Sequence, residues 1–385
     1  MRATPVWPQV RRLAALALGS LLVAGCAGMS PAAPPAPGQL LLASPDKLHG
    51  LPDAGRNWVM SYASTAFDGA NAVVVGQVAL PRTPAPAGGY PVIAWANGST
   101  GLAPQCAPSL VVNRERDAYL NAWVQQGYAV VRTDYAGWGA FGPVPDLHSR
   151  SNAENLADAV AAAHALDGVK LRPDWIAVGH SKGGGAVLWA AGLPDRSAGR
   201  YPLSAAIAIA PTGPGVLRFM DSVMRGEAVA VPALPFVSLT VMSAKAMNPA
   251  IDVQALTSPA LRPHLEAMRS ACLSGLFAMP PLPPGPYLKP GAAYDAMARL
   301  LAAQDASSLT MRVPVSVIQG EKDETTVTPD TTAAMVRSLC ARGATVQLKQ
   351  YAGQTHRSVI GASQSDAFGF ARTVLDAGRP ASDCP

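Results

Sequence analysis

Short apolar runs and segments with helical periodicity alternate along most of the chain from Asn57 onward. Short apolar runs bounded by turn residues are typical of buried strands, and a recurrence near 3.6 residues is typical of helices. The strands predicted in this way are 72–80, 90–96, 128–133, 175–179, 204–210, 313–319 and 345–350. The predicted helices are 114–126, 151–166, 182–191, 329–341 and 363–376, and a Ser-x-x-Glu capping box (Ser151, Glu154) predicts the start of the second. The alternation predicts an α/β fold with a doubly wound, mostly parallel sheet.

One long segment breaks this alternation. Residues 212–308 show no strand rhythm, contain a Pro-rich run and hold seven of the twelve methionines. A structureless loop of that length is improbable inside a compact domain. We therefore expect one domain over residues 51–385, with a helical insertion over about 212–308 that packs over the edge of the sheet.

The N-terminal residues have the features of a targeting signal. A basic start is followed by the apolar segment 13–25, and the sequence Val-Ala-Gly-Cys that ends at Cys26 resembles a bacterial lipobox. This resemblance implies a signal peptide over 1–25, lipidation of Cys26 and membrane contact through that anchor. A plain secretory signal with an incidental Cys26 is the alternative. Ala27 follows Cys26 at the position where Asp would be the signal for retention in the inner membrane, so attachment to the outer membrane is favoured. The Pro/Ala-rich segment 26–50 predicts a tether.

Composition and charge exclude two classes of protein. Apolar residues make up 49% of the 385 residues and charged residues 14%, a balance that excludes intrinsic disorder. Three of the charges behind the net +5 are Arg2, Arg11 and Arg12 in the predicted signal peptide. The remaining basic residues are scattered, so we expect no nucleic-acid partner.

Residues 179–183 (GHSKG) fit the pattern G-x-S-x-G. A predicted strand leads into the motif, a predicted helix follows it, and two more glycines come next. This context predicts a nucleophile elbow, in which Ser181 attacks and the N–H of Lys182 faces a developing oxyanion. The alternative is a serine in an ordinary Gly-rich turn.

A serine hydroxyl needs a base to become a nucleophile. In chains with this elbow the order is Ser, acid, His, and only His264 and His356 follow Ser181. His356 lies between the last predicted strand and the last predicted helix, where the base is expected. His264 lies in the insertion, where we expect a surface or cap residue.

The acid is expected in the loop after the strand at 313–319. Asp323 occupies the position in that loop where the carboxylate would hold one tautomer of the histidine. Glu321, Glu324 and Asp330 are the rival carboxylates, with ordinary loop and helix-start charge as their alternative role.

A second oxyanion donor is expected in the loop 97–101, after the first core strand. We assign it to the N–H of Ser99, with Thr100 as the alternative. Residues 134–139 are expected to pack near the site without taking part in catalysis.

These motifs, together with the Cys-Ala-Pro-Ser segment at 106–109, resemble the secretory lipase family, whose fungal members are lipase A-like. The resemblance covers most of residues 55–384. It implies an α/β-hydrolase core, a helical cap before the acid and ester substrates that include triacylglycerols. Carried over by position, it implies Ser181 as nucleophile, Asp323 as acid and His356 as base. The chain departs from the family in its lipobox and in the loop of the second oxyanion donor.

Four cysteines remain besides Cys26, and an even number in an exported protein predicts two disulfides. Spacing alone leaves three connectivities open. Consecutive elements are often adjacent in space, which favours Cys340–Cys384 and leaves Cys106–Cys272. The resemblance points to the same pairing. No Cys/His spacing suggests zinc, and we expect neither a metal nor a cofactor.

The leading hypothesis is a carboxylic ester hydrolase that acts on small-molecule or lipid esters through an acyl-enzyme on Ser181. An exported serine peptidase, another acyl transferase, and a non-catalytic envelope lipoprotein on a hydrolase scaffold are the alternatives. The methionines of the insertion have two open interpretations, an adaptable acyl-binding surface or the ordinary core of the cap.

Overall fold

The computed structural model describes residues 33–138, 143–196, 199–324 and 326–385. Residues 36–385 form one compact unit. The predicted signal peptide at 1–25 and the predicted lipidation site Cys26 lie outside the described residues, as does Gly139.

The strands of the described residues form one mixed sheet in the order β1-β2-β3-β5-β4-β6-β7-β8-β9. Pairing is antiparallel from β1 to β5 along this order and parallel from β5 to β9. The central strands are buried on both faces, which explains their near-continuous apolar sequences. The strands are β1 (Leu40–Pro45), β2 (Arg56–Thr65), β3 (Asn71–Leu80), β4 (Tyr90–Ala96), β5 (Ala129–Thr133), β6 (Leu171–His180), β7 (Leu203–Ile209), β8 (Val315–Gly320) and β9 (Val346–Tyr351).

Helices cover both faces of the sheet, which confirms the predicted doubly wound, mostly parallel architecture. Helices α2, α3 and α10 contribute to the core on one face, and α1, α11 and α12 to the core on the other. These helices are α1 (Arg114–Gln125), α2 (Ser149–Ala163), α3 (Lys182–Gly192), α10 (Pro329–Cys340), α11 (Val359–Ala362) and α12 (Gln364–Leu375). Within the described part of the chain, no helix combines the length and apolar character needed to cross a bilayer.

The region between β7 and β8 is helical and has its own hydrophobic core, as expected for the insertion. We call it the cap. Its helices are α4 (Pro214–Met224), α5 (Pro235–Met247), α6 (Val253–Leu256), α7 (Arg262–Ala267), α8 (Leu273–Phe277) and α9 (Ala292–Ala302).

Two sequence-based predictions about where strands and helices begin are wrong. Residues 40–45, assigned to the tether by composition, form β1 and pair with β2, because their backbone complements the free edge of that strand. The capping box is also wrong, since α2 begins at Ser149 and is capped by His148. The Nδ1 atom of His148 accepts the N–H of Ser151 at 3.1 Å, which places Ser151 inside the first turn.

Both predicted disulfides are present. Cys340 ends α10 and Cys384 lies at the C-terminus, so this bond holds the terminal segment against the edge of the sheet. Nearby, the N–H of Asp383 donates to the carbonyl of Val346 in β9 at 2.7 Å. The second bond, Cys106–Cys272, joins the core to the cap.

Candidate active site

Ser181 occupies a sharp turn between β6 and α3. Its φ of +58° and ψ of −120° lie in a region that non-glycine residues rarely adopt. The turn is possible because the flanking glycines allow close packing. A Cβ on Gly183 would lie 1.9 Å from the carbonyl oxygen of Ala96, and one on Gly179 would lie 2.3 Å from the carbonyl oxygen of Gly183. The strained turn presents the Ser181 side chain to the cleft in the way a nucleophile elbow requires.

His356 and Asp323 approach the elbow from the ends of the last two strands. Asp323 follows β8 and His356 follows β9, and the Nδ1 of His356 donates to the Oδ2 of Asp323 at 2.5 Å. The Asp323 side chain is buried, with 1% of its surface exposed. The contact holds the proton on Nδ1, which leaves Nε2 of His356 free to accept one.

The rival residues lie elsewhere. Glu321 and Glu324 are exposed, and Asp330 pairs with Arg218 on the surface. His264 is buried in α7 of the cap, and the cap was one of the two locations predicted for it. It is not among the residues that line the cleft beside Ser181.

His180 contacts the candidate base and was not predicted from the sequence. Its Nε2 donates to the carbonyl oxygen of His356 at 2.7 Å, and the two ring centroids are 4.6 Å apart. Burial, followed by the proximity of His356, lowers the pKa of His180 to about 3. The ring is therefore neutral at neutral pH, and it fixes the loop that carries His356.

The two predicted oxyanion residues flank the elbow and are joined by a third residue. Lys182 is the first residue of α3, and Ser99 lies in the loop after β4. The Oδ1 of Asp146 accepts from Nζ of Lys182 at 2.6 Å, and its Oδ2 accepts from Oγ of Ser99 at 2.5 Å. The side chains of Lys182 and Asp146 have no exposed surface. Sequence reasoning missed Asp146, because no local motif marks it.

The segment after β5 packs behind this loop, as expected. The hydroxyl of Tyr135 donates to the carbonyl oxygen of Asn97 at 2.9 Å, and the Nζ of Lys182 lies 4.7 Å from the centre of the Tyr135 ring. Asp134 accepts the N–H of Ser109 at 2.7 Å. Burial raises the pKa of Asp134 to about 6.

Two cavities open onto Ser181. The larger is a cleft of about 900 Å³ whose walls include Ser181 and His356. The smaller, of about 30 Å³, lies between the elbow and the cap. Within the described residues, none of the seven cap methionines lines either cavity, and Met220, Met268 and Met297 are buried in the cap core. These positions support the interpretation of the methionines as the ordinary core of the cap.

The cap is attached to the loop of the second oxyanion donor. Cys272 precedes α8 and is bonded to Cys106, and the N–H of Leu273 donates to the carbonyl oxygen of Thr100 at 2.8 Å. The Nε2 of Gln105 also donates to the carbonyl oxygen of Ser270 at 2.5 Å.

No protein-family model matches this chain, and no curated protein matches its sequence. Its backbone is similar to that of the rice cell wall degrading esterase LipA from Xanthomonas oryzae, with a TM-score of 0.74 and 20% identity over 90% of this chain and 100% of that one. It is also similar to Candida antarctica lipase A, with a TM-score of 0.72 and 17% identity over 91% of this chain and 84% of that one. The sheet order, the elbow and these similarities together show that the chain has the α/β-hydrolase fold.

Proposed function

We propose that this protein is a serine carboxylic ester hydrolase that cleaves acyl esters through an acyl-enzyme on Ser181. The observation that carries the proposal is the buried contact between His356 and Asp323, beside a cleft that also exposes the strained Ser181. The similarity to an esterase and a lipase supports the same reaction class.

Each residue has a defined role in this reaction. His356 takes the proton of Ser181 as the hydroxyl attacks the ester carbonyl, and Asp323 stabilises the imidazolium that forms. The N–H groups of Ser99 and Lys182 stabilise the oxyanion of the tetrahedral intermediate. His356 then protonates the leaving alkoxide, and water activated by the same histidine releases the acid from Ser181. None of these steps requires a metal or an organic cofactor.

The proposal also covers where the protein is located in the cell. Two disulfides support export, because such bonds persist in oxidising compartments. We propose that residues 1–25 are removed as a signal peptide and that Cys26 carries the lipid that contacts the membrane.

The catalytic assignment is tested with Ser181→Ala, Asp323→Asn and His356→Ala in assays on p-nitrophenyl butyrate. Because triad members act as a unit, we expect each to lower kcat by roughly 10⁴-fold or more, with non-additive losses in combination. Glu321→Gln, an exposed carboxylate of the same loop, is the matched control and should retain full activity. Thermal melting of all four variants separates lost chemistry from lost folding. Turnover by Ser181→Ala at the wild-type rate would disprove the assignment.

The peptidase alternative is tested with an aminoacyl p-nitroanilide. An ester hydrolase should cleave the nitrophenyl ester much faster than the anilide. Comparable or faster cleavage of the anilide would favour a peptidase with the same triad.

A further inference from the structure

The two cavities that meet at Ser181 differ in size and in the groups that line them. Both contain Ser181 and Ser99, but only the 900 Å³ cleft contains His356. The apolar residues Phe219 and Leu239 border the 30 Å³ cavity on the side of the cap. The two sides of the nucleophile therefore offer a substrate very different amounts of space.

The chemistry of ester cleavage decides which part of the substrate enters each cavity. In the tetrahedral intermediate the carbonyl carbon bonds Ser181 Oγ, the oxyanion, the alcohol oxygen and the acyl chain. The oxyanion faces Ser99 and Lys182, and the alcohol oxygen has to face His356, which protonates it. The acyl chain points away from the histidine, into the small cavity that contains Ser99 and Ser181 without it.

The volume of the small cavity limits the acyl chain. Measured in the same way, the small cavity has about one thirtieth of the space of the large cleft. It therefore has room only for a short acyl chain. Phe219 and Leu239 belong to the buried core of the cap, with 3% and 1% of their surface exposed. The dense packing of that core resists any widening of the cavity for a longer chain.

The cleft on the other side has the dimensions of a site for a large group. Its volume of about 900 Å³ lies in the range of pockets that bury drug-sized ligands. Phe236 and Ile360 supply apolar walls, while Arg114 and the ion-paired Glu115 and Arg357 make part of the lining charged. An alcohol with both an apolar body and polar substituents fits this lining.

We propose that the preferred substrates are short-chain esters, from acetyl to butyryl, of bulky and partly polar alcohols. The inference rests on the proposed ester hydrolase function. It assigns the acyl group to the small cavity between α4, α5 and the elbow, and the alcohol to the large cleft.

Two substrate series test this on the full-length protein. Along the p-nitrophenyl esters of acetate, butyrate, octanoate and palmitate, kcat/KM should fall by at least about tenfold between butyrate and octanoate, since a pocket discriminates methylenes by about that factor. Between phenyl acetate and 2-naphthyl acetate, whose leaving groups are similarly acidic, kcat/KM should not fall. Hydrolysis of octanoate as fast as butyrate, or a clear loss with the naphthyl ester, would refute the inference.

Two variants of the cap test whether the small cavity sets the preferred length of the acyl chain. Leu239→Ala enlarges the small cavity and should raise the octanoate-to-acetate ratio of kcat/KM by about tenfold. Leu265→Ala removes a buried leucine of the same cap core that lines neither cavity, and it should leave that ratio unchanged. An equal shift in both variants would mean that general loosening of the cap sets chain length. If either variant does not fold, the wild-type series still decides the question.

The same series separates this inference from the proposed function. If the wild type cleaves none of the esters, or if Ser181→Ala cleaves them equally well, the ester hydrolase proposal itself fails. If cleavage depends on Ser181 but shows no preference for short acyl chains, only the assignment of the cavities fails.

Discussion

Asp146 links the two candidate oxyanion residues through both oxygens of one buried carboxylate. A buried charge is stable only when it is paired and hydrogen-bonded, and Lys182 supplies the opposite charge. The next residue, Leu147, donates its N–H to the hydroxyl of Ser243 in α5 at 3.0 Å. The carboxylate therefore lies where the oxyanion loop, the elbow and the cap meet.

The buried pair of Asp146 and Lys182 should contribute measurably to the stability of the fold. Asp146→Asn or Lys182→Met alone should lower the free energy of unfolding by about 3–5 kcal/mol, because each leaves one buried charge without its partner. The double variant should recover part of that loss, since no buried charge remains. Urea denaturation of the three variants measures this. A loss below about 1 kcal/mol in both single variants would show that the pair contributes little.

The candidate site was partly predictable at the level of single residues. Ser181, Asp323 and His356 each occupy a position fixed by a neighbouring strand end, so a local motif and the chain order were enough to identify them. Asp146 and His180 act through contacts with residues 36 and 176 positions away in sequence, and no local pattern records such pairs.

At the scale of elements, the strands predicted from apolar runs are present. The signal is clearest in the central strands, whose burial on both faces gives uninterrupted apolar sequences. The strands β1 and β2 were missed. Both lie toward one edge of the sheet. The apolar run of β1 is only three leucines long, and β2 mixes polar with apolar residues, so neither strand gives a continuous apolar signal. The start of α2 was misplaced because histidine is an uncommon cap and the Ser-x-x-Glu pattern one turn later is a common one.

Glycine substitutions test the packing of the elements. Gly183→Ala should destabilise the protein strongly or prevent folding, because the new methyl group would overlap the backbone of β4. Gly369→Ala, in α12, meets no atom within 4 Å and should stabilise the helix by up to about 1 kcal/mol. Thermal melting of both variants checks this. Near-wild-type stability of Gly183→Ala would contradict the described contact between elbow and sheet.

At the scale of the whole molecule, acidification should destabilise the fold through its buried histidines. Burial lowers the pKa of His164 to about 4, whereas an unfolded histidine has a pKa near 6.5. Between these values the unfolded state binds more protons. The free energy of unfolding therefore decreases as the pH is lowered through this range, by up to about 1.4 kcal/mol per pH unit for one such group. Asp134 acts in the opposite direction, because its pKa is raised to about 6.

His164→Phe isolates the contribution of this histidine. It keeps an aromatic ring against Tyr201, which stacks on His164 with ring centroids 3.9 Å apart. It also removes an Nε2 that has no hydrogen-bond partner among the described residues. The variant should lose less stability than the wild type between pH 6.5 and pH 4.5 in urea titrations. If the free energy of unfolding changed with pH equally in the variant and the wild type, His164 would have the same pKa in the folded and unfolded states.

The bond between Cys106 and Cys272 also limits how a substrate can enter. It holds the cap to the oxyanion loop beside the cleft, so this margin of the cap cannot swing outward. Any widening of the entrance therefore has to rotate the cap about the disulfide. A bulky alcohol would therefore enter the cleft while the oxyanion donors stay in register with Ser181.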